Sequence, residues 1–111
     1  MSESIFKENL FEGKKVFITG GATGMGLGFA KAFLEHGADV LIASRKEENL
    51  SKAASEIKEQ TGKTLHWKMM DVRNNETVEE VAKYIKDKWG YLDVLVNNAA
   101  GNFVTPAAAM S

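Results

Sequence analysis

A glycine-rich segment between an apolar run and an amphipathic run is the part of this sequence best suited to chemistry. The apolar run covers residues 15–19, glycines stand at 20, 21, 24 and 26, and the amphipathic run extends from 27 to 36. Backbone N–H groups at a glycine-rich helix start, with the helix dipole behind them, bind anions. The sequence therefore predicts a loop that binds the pyrophosphate of a dinucleotide. The residues expected to form this loop are Thr19, Gly20, Gly21, Ala22, Thr23, Gly24, Met25 and Gly26.

The glycine spacing separates this loop from two common phosphate motifs. In the dinucleotide pattern G-x-G-x-x-G, Gly24 and Gly26 would be the first two glycines, but Phe29 stands at the third. A P-loop is excluded because a leucine and a glycine follow Gly26, where that motif has a lysine and a hydroxyl residue. The spacing present is T-G-x-x-x-G-x-G at 19–26. Thr23 could bind phosphate through its hydroxyl or serve only as a small turn residue, and both readings stay open.

The end of the second predicted strand bears on which dinucleotide binds. A site for NAD places a carboxylate about 20 residues after the glycines to bind the ribose 2′-hydroxyl. Here Ser44 occupies that place, and Arg45 and Lys46 follow it. A guanidinium can hold a 2′-phosphate that a carboxylate would repel. We therefore expect NADP(H), although the two cations could also be solvated charges at a helix start, where they would oppose the dipole.

Asp71 closes the third predicted strand and allows two readings. Its carboxylate could accept a hydrogen bond from the adenine amino group of the dinucleotide. Aspartate ahead of a helix is also a common cap or turn former. The sequence leaves both readings open.

Four apolar strands and three amphipathic helices are expected to position these residues. The strands are predicted at 15–19, 39–43, 64–70 and 92–97, and the helices at 24–36, 47–60 and 75–89. Strict alternation of strands and helices is typical of a doubly wound, Rossmann-type parallel α/β sheet. Right-handed crossovers and the strand order 3-2-1-4 would bring the glycine loop to the carboxyl ends of the strands, beside the switch point where ligands bind.

Length and composition restrict the class of protein. With 111 residues the chain forms one domain, 1–111, at most. A net charge of −1 with 44% hydrophobic and 26% charged residues gives no reason to expect nucleic acid or a membrane surface as partner. No cysteine is present, and His36 and His66 have no third ligand beside them, so we expect neither thiol catalysis nor a metal site. Because the first 15 residues contain no apolar signal core, a cytoplasmic location is expected.

The motifs together resemble one family. The loop at 19–26, and N-N-A-A-G at 97–101 after the fourth predicted strand, are similar to the cofactor loop and the N-N-A-G signature of short-chain dehydrogenase/reductases. The wider segments N-N-A-A-G-N-F at 97–103, I-A-S-R-K at 42–46 and D-V-R at 71–73 resemble the NADPH-dependent 2,4-dienoyl-CoA reductases of unsaturated fatty-acid oxidation. The resemblance extends from about residue 13 to residue 111.

This resemblance implies an oxidoreductase that uses NADPH to reduce 2,4-dienoyl-CoA esters to 3-enoyl-CoA and assembles as a homo-oligomer. Asn97 would tie neighbouring strands together, and Arg45 would reach both the cofactor phosphate and the CoA portion of the substrate. Besides the glycine loop, the cofactor residues implied are Ser44, Arg45, Asp71, Val72, Asn98, Ala99 and Gly101. The substrate residues implied are Arg45, Arg73, Asn102, Phe103 and Ser111.

The family's catalytic tyrosine and lysine, spaced Y-x-x-x-K, belong after a fifth strand, and we assign no catalytic residue to this chain. Tyr84 and Lys88 have the spacing, but they precede the N-N-A-A-G segment and lie on the third predicted helix. We therefore expect the chain to be the N-terminal cofactor half of a longer enzyme, with an open edge on its fourth strand that makes it marginal or prone to associate. Another short-chain reductase, such as a 3-oxoacyl-thioester reductase, and a non-catalytic NADP-binding module remain alternatives.

Overall fold

One sheet with helices on both faces forms the protein. A computed structural model describes residues 11–20 and 24–97, together with the backbone of 103–106. The elements in chain order are β1 (Lys15–Thr19), α1 (Gly24–Glu35), β2 (Asp39–Ser44), α2 (Glu47–Thr61), β3 (His66–Met69), α3 (Asn75–Lys88), β4 (Val94–Asn97) and β5 (Phe103–Pro106). The sheet order is β3-β2-β1-β4-β5.

The first four strands are parallel, as the alternation of strands and helices predicted. β1 pairs with β2 on one side and with β4 on the other, and β3 extends the sheet beyond β2. The Rossmann-type fold and the order 3-2-1-4 are therefore confirmed. β3 and β4 each begin two residues later than predicted. Leu65 and Leu92 precede the paired segments and are buried without belonging to a strand. Apolar character at those two positions indicated burial and not pairing.

Both faces of the sheet are covered, which explains the continuous apolar strands. Val16 and Ile18 of β1 belong to the core beneath α1 and α2. Phe17, between them, points to the opposite face and packs in the core beneath α3. This alternation requires residues 16–19 of β1 to be apolar or small, and it makes β1 the rigid support for the loop that follows it.

A fifth strand corrects one expectation. The sequence suggested no element in the tail after residue 97, and the outer edge of β4 was expected to be open. β5 pairs with β4 in antiparallel orientation, with Val96 opposite Val104 and Asn97 opposite Phe103. The unpaired backbone groups of a strand edge favour such an added strand, and Pro106 stands at its end, where a missing N–H is tolerated. The expected open edge of β4 is therefore wrong for the described backbone.

Candidate nucleotide-binding site

A small cleft lies at the carboxyl ends of β1, β2 and β3. Its volume is about 160 Å³. Every residue that lines it ends one of these strands or follows it closely. The lining residues are Thr19, Gly20, Ala43, Ser44, Arg45, Met70 and Val72. Ligands of open α/β sheets bind outside the carboxyl ends of the strands, so the position of this cleft is that of a nucleotide site.

The two described glycines at the ends of the turn from β1 to α1 have left-handed backbone. Gly20 has φ 68° and its N–H donates to the carbonyl of Ala43 at 2.8 Å, which joins the turn to β2. Gly24 begins α1 with φ 57°, and a side chain added there would meet no atom within 4 Å. Residues 21–23 lie outside the described residues. Gly24 therefore combines left-handed backbone with open space, which a bulky anion requires.

The first turn of α1 lacks the acidic residues that the other described helices have. α2 has Glu47 and Glu48 in its first turn, and α3 has Glu76, whereas α1 has none. A carboxylate in the first turn stabilises a helix by interacting with the positive end of its dipole. Because α1 has no such group, the positive end of its dipole can interact with an anionic ligand. The residues present therefore fit a dinucleotide pyrophosphate.

The end of β2 combines positive charge with poor helix capping. Arg45 and Lys46 are exposed, and Ser44 accepts a hydrogen bond from the Lys46 N–H at 3.3 Å. Lys46 is the N-cap of α2 and makes no side-chain capping bond. A serine, threonine, aspartate or asparagine there would stabilise the helix by about 1 kcal/mol. Helix stability therefore does not explain the cations at 45 and 46, and binding of a phosphate would.

Asp71, after β3, forms a turn and carries a firmly ionised carboxylate. Its Oδ1 accepts from the backbone N–H of Arg73 at 3.0 Å and from Nε of Arg73 at 3.1 Å, and its Oδ2 accepts from the guanidinium at 3.0 Å. These bonds, the side-chain ones first, lower the pKa of Asp71 to about 2, and the charges of Arg73 and Arg45 act in the same direction. The turn-forming reading of Asp71 is confirmed, while the cap of α3 is Asn74, which accepts from the Glu76 N–H. An adenine contact stays a prediction.

Thr77 is a residue of this region that the sequence analysis missed. It is 8% exposed, and its Oγ1 accepts from the Asp71 N–H at 2.9 Å. Thr77, Val81 and Ile85 are the buried residues of α3 and follow one another at a spacing of four. A hydroxyl residue on the buried stripe of a helix was the available signal, because buried hydroxyls need hydrogen-bond partners.

The sheet end near β4 contains a cross-strand bond. Thr19 of β1 and Asn97 of β4 are register partners, and Thr19 Oγ1 donates to Asn97 Oδ1 at 3.0 Å. This is a tie between neighbouring strands of the kind that the resemblance implied for Asn97. Of Phe103 only the backbone in β5 is described. The other candidate residues that lie outside the described residues are Gly21, Ala22, Thr23, Asn98, Ala99, Gly101, Asn102 and Ser111.

Two features lie apart from this cleft. Tyr84 of α3 is half-buried, packs against the core beneath α3 and lies under Lys68, whose Nζ is 5.5 Å from the ring centroid. Packing therefore accounts for Tyr84. A larger cavity of about 440 Å³ lies at the end of α3 beside Gly90 and Tyr91. The Tyr91 hydroxyl donates to the carbonyl of Gly13, which precedes β1, so this cavity is at the opposite end of the sheet.

The family model for short chain dehydrogenases matches residues 14–111. The chain belongs to this family. No described helix is both long enough and apolar enough to cross a membrane.

Among curated short chain dehydrogenase relatives, the chain is similar to 2,4-dienoyl-CoA reductases. It is 39% identical over 107 residues to the peroxisomal (3E)-enoyl-CoA-producing enzyme of Danio rerio, covering 96% of this chain and 36% of that protein. It is also 39% identical over 100 residues to a probable (2E)-enoyl-CoA-producing reductase of Bacillus subtilis, covering 90% and 39%. The chain thus spans little more than a third of the length of these relatives.

Solved structures of the family share the fold. A citronellol catabolism dehydrogenase of Pseudomonas aeruginosa superposes with a TM-score of 0.78 at 37% identity, covering 85% of this chain and 39% of that one. L-sorbose reductase of Gluconobacter frateurii, in complex with NADPH and L-sorbose, gives a TM-score of 0.70 at 32% identity, covering 78% and 33%.

Proposed function

We propose that this chain is the NADPH-binding part of an oxidoreductase that reduces 2,4-dienoyl-CoA esters. The observation that carries the proposal is the cleft at the ends of β1, β2 and β3, with a cation and no carboxylate among the described residues that line it. The 39% identity to a 2,4-dienoyl-CoA reductase supports the choice of substrate class. In this proposal residues 1–111 form one Rossmann domain, the N-terminal half of a short-chain reductase.

The choice of NADPH over NADH depends on Ser44 and Arg45. Ser44 is half-buried at the end of β2, where an NAD-selective site has a carboxylate. Arg45 is exposed beside the cleft, so its guanidinium is free to turn toward a 2′-phosphate. Charge-assisted bonds of this kind are roughly twice as strong as neutral ones. L-sorbose reductase, described with NADPH bound, supports a family site that accepts this cofactor.

The remaining residues are proposed to bind and orient the two ligands. The amides from Thr19 to Gly26 hold the pyrophosphate, Asp71 and Val72 border the adenine, and Asn98, Ala99 and Gly101 leave room beside the cofactor. Arg45, Arg73, Asn102, Phe103 and Ser111 are proposed to contact the acyl-CoA. When bound, NADPH supplies the hydride that reduces the dienoyl chain. We assign the proton donor to no residue of this chain.

A reductase with a different substrate is the second candidate. The P. aeruginosa dehydrogenase is 37% identical to this chain, close to the value for the dienoyl-CoA reductase of D. rerio. The curated relatives also differ in the product that their names give, (3E)-enoyl-CoA or (2E)-enoyl-CoA. The substrate and the position of the remaining double bond are therefore decided by assay.

The test is a fluorescence titration of the chain with NADPH and with NADH. We expect preferential binding of NADPH. We expect Arg45→Met to weaken NADPH binding at least about tenfold, because a charge-assisted bond to the phosphate is worth roughly 1.5 to 3 kcal/mol. Lys52→Met removes an exposed charge of α2 that does not line the cleft, and it is the matched control. Equal binding of NADH and NADPH would contradict the preference for NADPH that we infer from Ser44 and Arg45.

Turnover separates the catalytic proposals. NADPH oxidation is followed with a dienoyl-CoA and with a 3-oxoacyl-CoA, on this chain and on a version extended in the manner of its longer relatives. Activity with dienoyl-CoA in the extended version alone supports the proposal. Turnover by residues 1–111 would show that this chain contains its own proton donor, and binding without turnover in either version would favour a non-catalytic module.

Location and assembly stay predictions. The sequence favours the cytoplasm, whereas the D. rerio relative is named as peroxisomal, so imaging of a tagged protein is needed to distinguish the two. A homo-oligomer is expected for the longer protein and is checked by light scattering.

A further inference from the structure

We propose that Thr77 is a positioning residue, whose hydroxyl holds Asp71 with one carboxylate oxygen available to the amino group of adenine. The inference rests on the proposed function, because it requires that a dinucleotide bind in the cleft. It adds a residue that neither the family motifs nor the sequence analysis pointed to.

Thr77 fixes the backbone of Asp71 from the neighbouring helix. Its Oγ1 accepts from the Asp71 N–H at 2.9 Å. The same oxygen lies 2.9 Å from the Asp71 carbonyl and 2.8 Å from the Asn74 carbonyl, so its single proton is donated to one of these acceptors. The Asn74 N–H also donates to the Asp71 carbonyl at 2.8 Å, which closes the turn. Both backbone polar groups of Asp71 are thus bound to the start of α3.

The carboxylate of Asp71 keeps one acceptor position on Oδ2. Its two oxygens offer about four lone-pair positions. Among the described residues, Arg73 donates two bonds to Oδ1 and one to Oδ2. Asp71 stands between Met70 and Val72, which both line the cleft. In this proposal a base bound at the cleft donates its amino group to the open position on Oδ2, which does not require Arg73 to be displaced.

Helix capping does not explain the hydroxyl of Thr77. Asn74 is the N-cap of α3, and its side chain already accepts from the Glu76 N–H at 3.0 Å. Thr77 is 8% exposed and shares the buried stripe with Val81 and Ile85, so a valine would fill the same space. What valine would lack is the bond from the Asp71 N–H and the donation of the hydroxyl proton to the carbonyl of Asp71 or Asn74. The hydroxyl therefore acts on the position of Asp71 more than on the start of the helix.

The test combines variants of Thr77 with two ligands that differ in one group. NADP⁺ carries the adenine amino group, and nicotinamide hypoxanthine dinucleotide phosphate carries an oxygen in its place. We expect the wild-type chain to bind NADP⁺ about tenfold more tightly, as for a hydrogen bond to a charged group. Thr77→Val should reduce this preference to about twofold, and Thr77→Ser should keep it. Thr77→Cys, a similarly sized residue with weak hydrogen bonding, should fall between them.

Each outcome has one meaning. A preference for adenine that survives Thr77→Val, in a variant that is folded by circular dichroism, would overturn the positioning role. If the valine variant does not fold, a cysteine variant with the full preference would do the same. Equal binding of both ligands by the wild-type chain would overturn the adenine contact itself while leaving the dinucleotide site intact. Binding of neither ligand would instead contradict the proposed function.

Discussion

Replacing Ser44 by aspartate should reverse the cofactor preference of the cleft. Ser44 ends β2, is half-buried and lines the cleft beside Arg45. Its Oγ accepts from the Lys46 N–H at 3.3 Å. An aspartate carboxylate can accept the same bond, and it stands just ahead of α2, where the helix dipole favours negative charge. We therefore expect Ser44→Asp to fold as the wild type does and to change mainly the charge of the cleft.

The size of the effect follows from Coulomb's law. At a separation of about 5 Å and an effective dielectric constant between 80 and 20, one carboxylate and one unit of phosphate charge repel by roughly 1 to 3 kcal/mol. This corresponds to a loss of NADPH affinity of about fivefold to more than a hundredfold. NADH should gain affinity, because its 2′-hydroxyl can donate to the new carboxylate with a net benefit of about 1.5 kcal/mol or more.

The assay is a fluorescence titration with both cofactors at two salt concentrations. Ser44→Asn is the matched control, because its amide oxygen can accept from the Lys46 N–H without adding charge. The repulsion in the aspartate variant should weaken at high salt, since exposed charges are screened. NADPH affinity that is unchanged in Ser44→Asp, or reduced equally in Ser44→Asn, would refute the electrostatic reasoning and the position assigned to the 2′-phosphate.

Two further predictions concern the backbone at Gly37 and Gly28 and the ionisation of Asp71. Gly37→Ala should destabilise the protein by more than about 1 to 2 kcal/mol, the usual cost of left-handed backbone, because φ is 95° and the new Cβ would lie 3.0 Å from the Glu12 Cα. Gly28→Ala, in an open helical position, should stabilise it by about 1 kcal/mol, and opposite shifts in melting temperature are the check. Arg73→Gln should raise the pKa of Asp71 from about 2 toward 3.8, measured by a carboxyl NMR titration. Because that pKa is lowered in the folded chain, the stabilisation from ionised Asp71 is present above about pH 4 and is lost as the pH falls toward 2, and an unshifted titration in Arg73→Gln would contradict this.

The first four strands and three helices were predictable because each has a strong local pattern. β2 is a continuous apolar run that both faces of a parallel sheet require, and its buried stretch matches that pattern residue by residue. Gly62, with φ 75°, ends α2 as a left-handed C-terminal cap. Parallel order then follows from right-handed crossovers, which leave few alternatives for four alternating units.

β5 and the surroundings of Asp71 were less predictable because they depend on distant partners. β5 is four residues long and pairs with β4 only after the chain reverses, so no periodicity marks it. Asp71 was equally compatible with a cap, a turn and a ligand contact. The bond between its N–H and Thr77 spans six residues, across the turn that leads from β3 into α3. Spacing along a sequence does not reveal such a contact.

The three described helices all begin near the cleft, but they differ in how closely they follow the local rules of helix stability. α3 has a bonded asparagine cap, an acidic first turn and two lysines in its last turn, all of which stabilise a helix. α2 begins instead at a lysine that makes no side-chain capping bond. α1 begins at a left-handed glycine and has no acidic residue in its first turn. Both departures occur where β1 and β2 end, at the edge of the cleft. Local choices that reduce stability without a packing benefit are expected at functional sites. Because both changes also make the cleft more positive, a ligand with several phosphates explains them together, which a purely structural account does not.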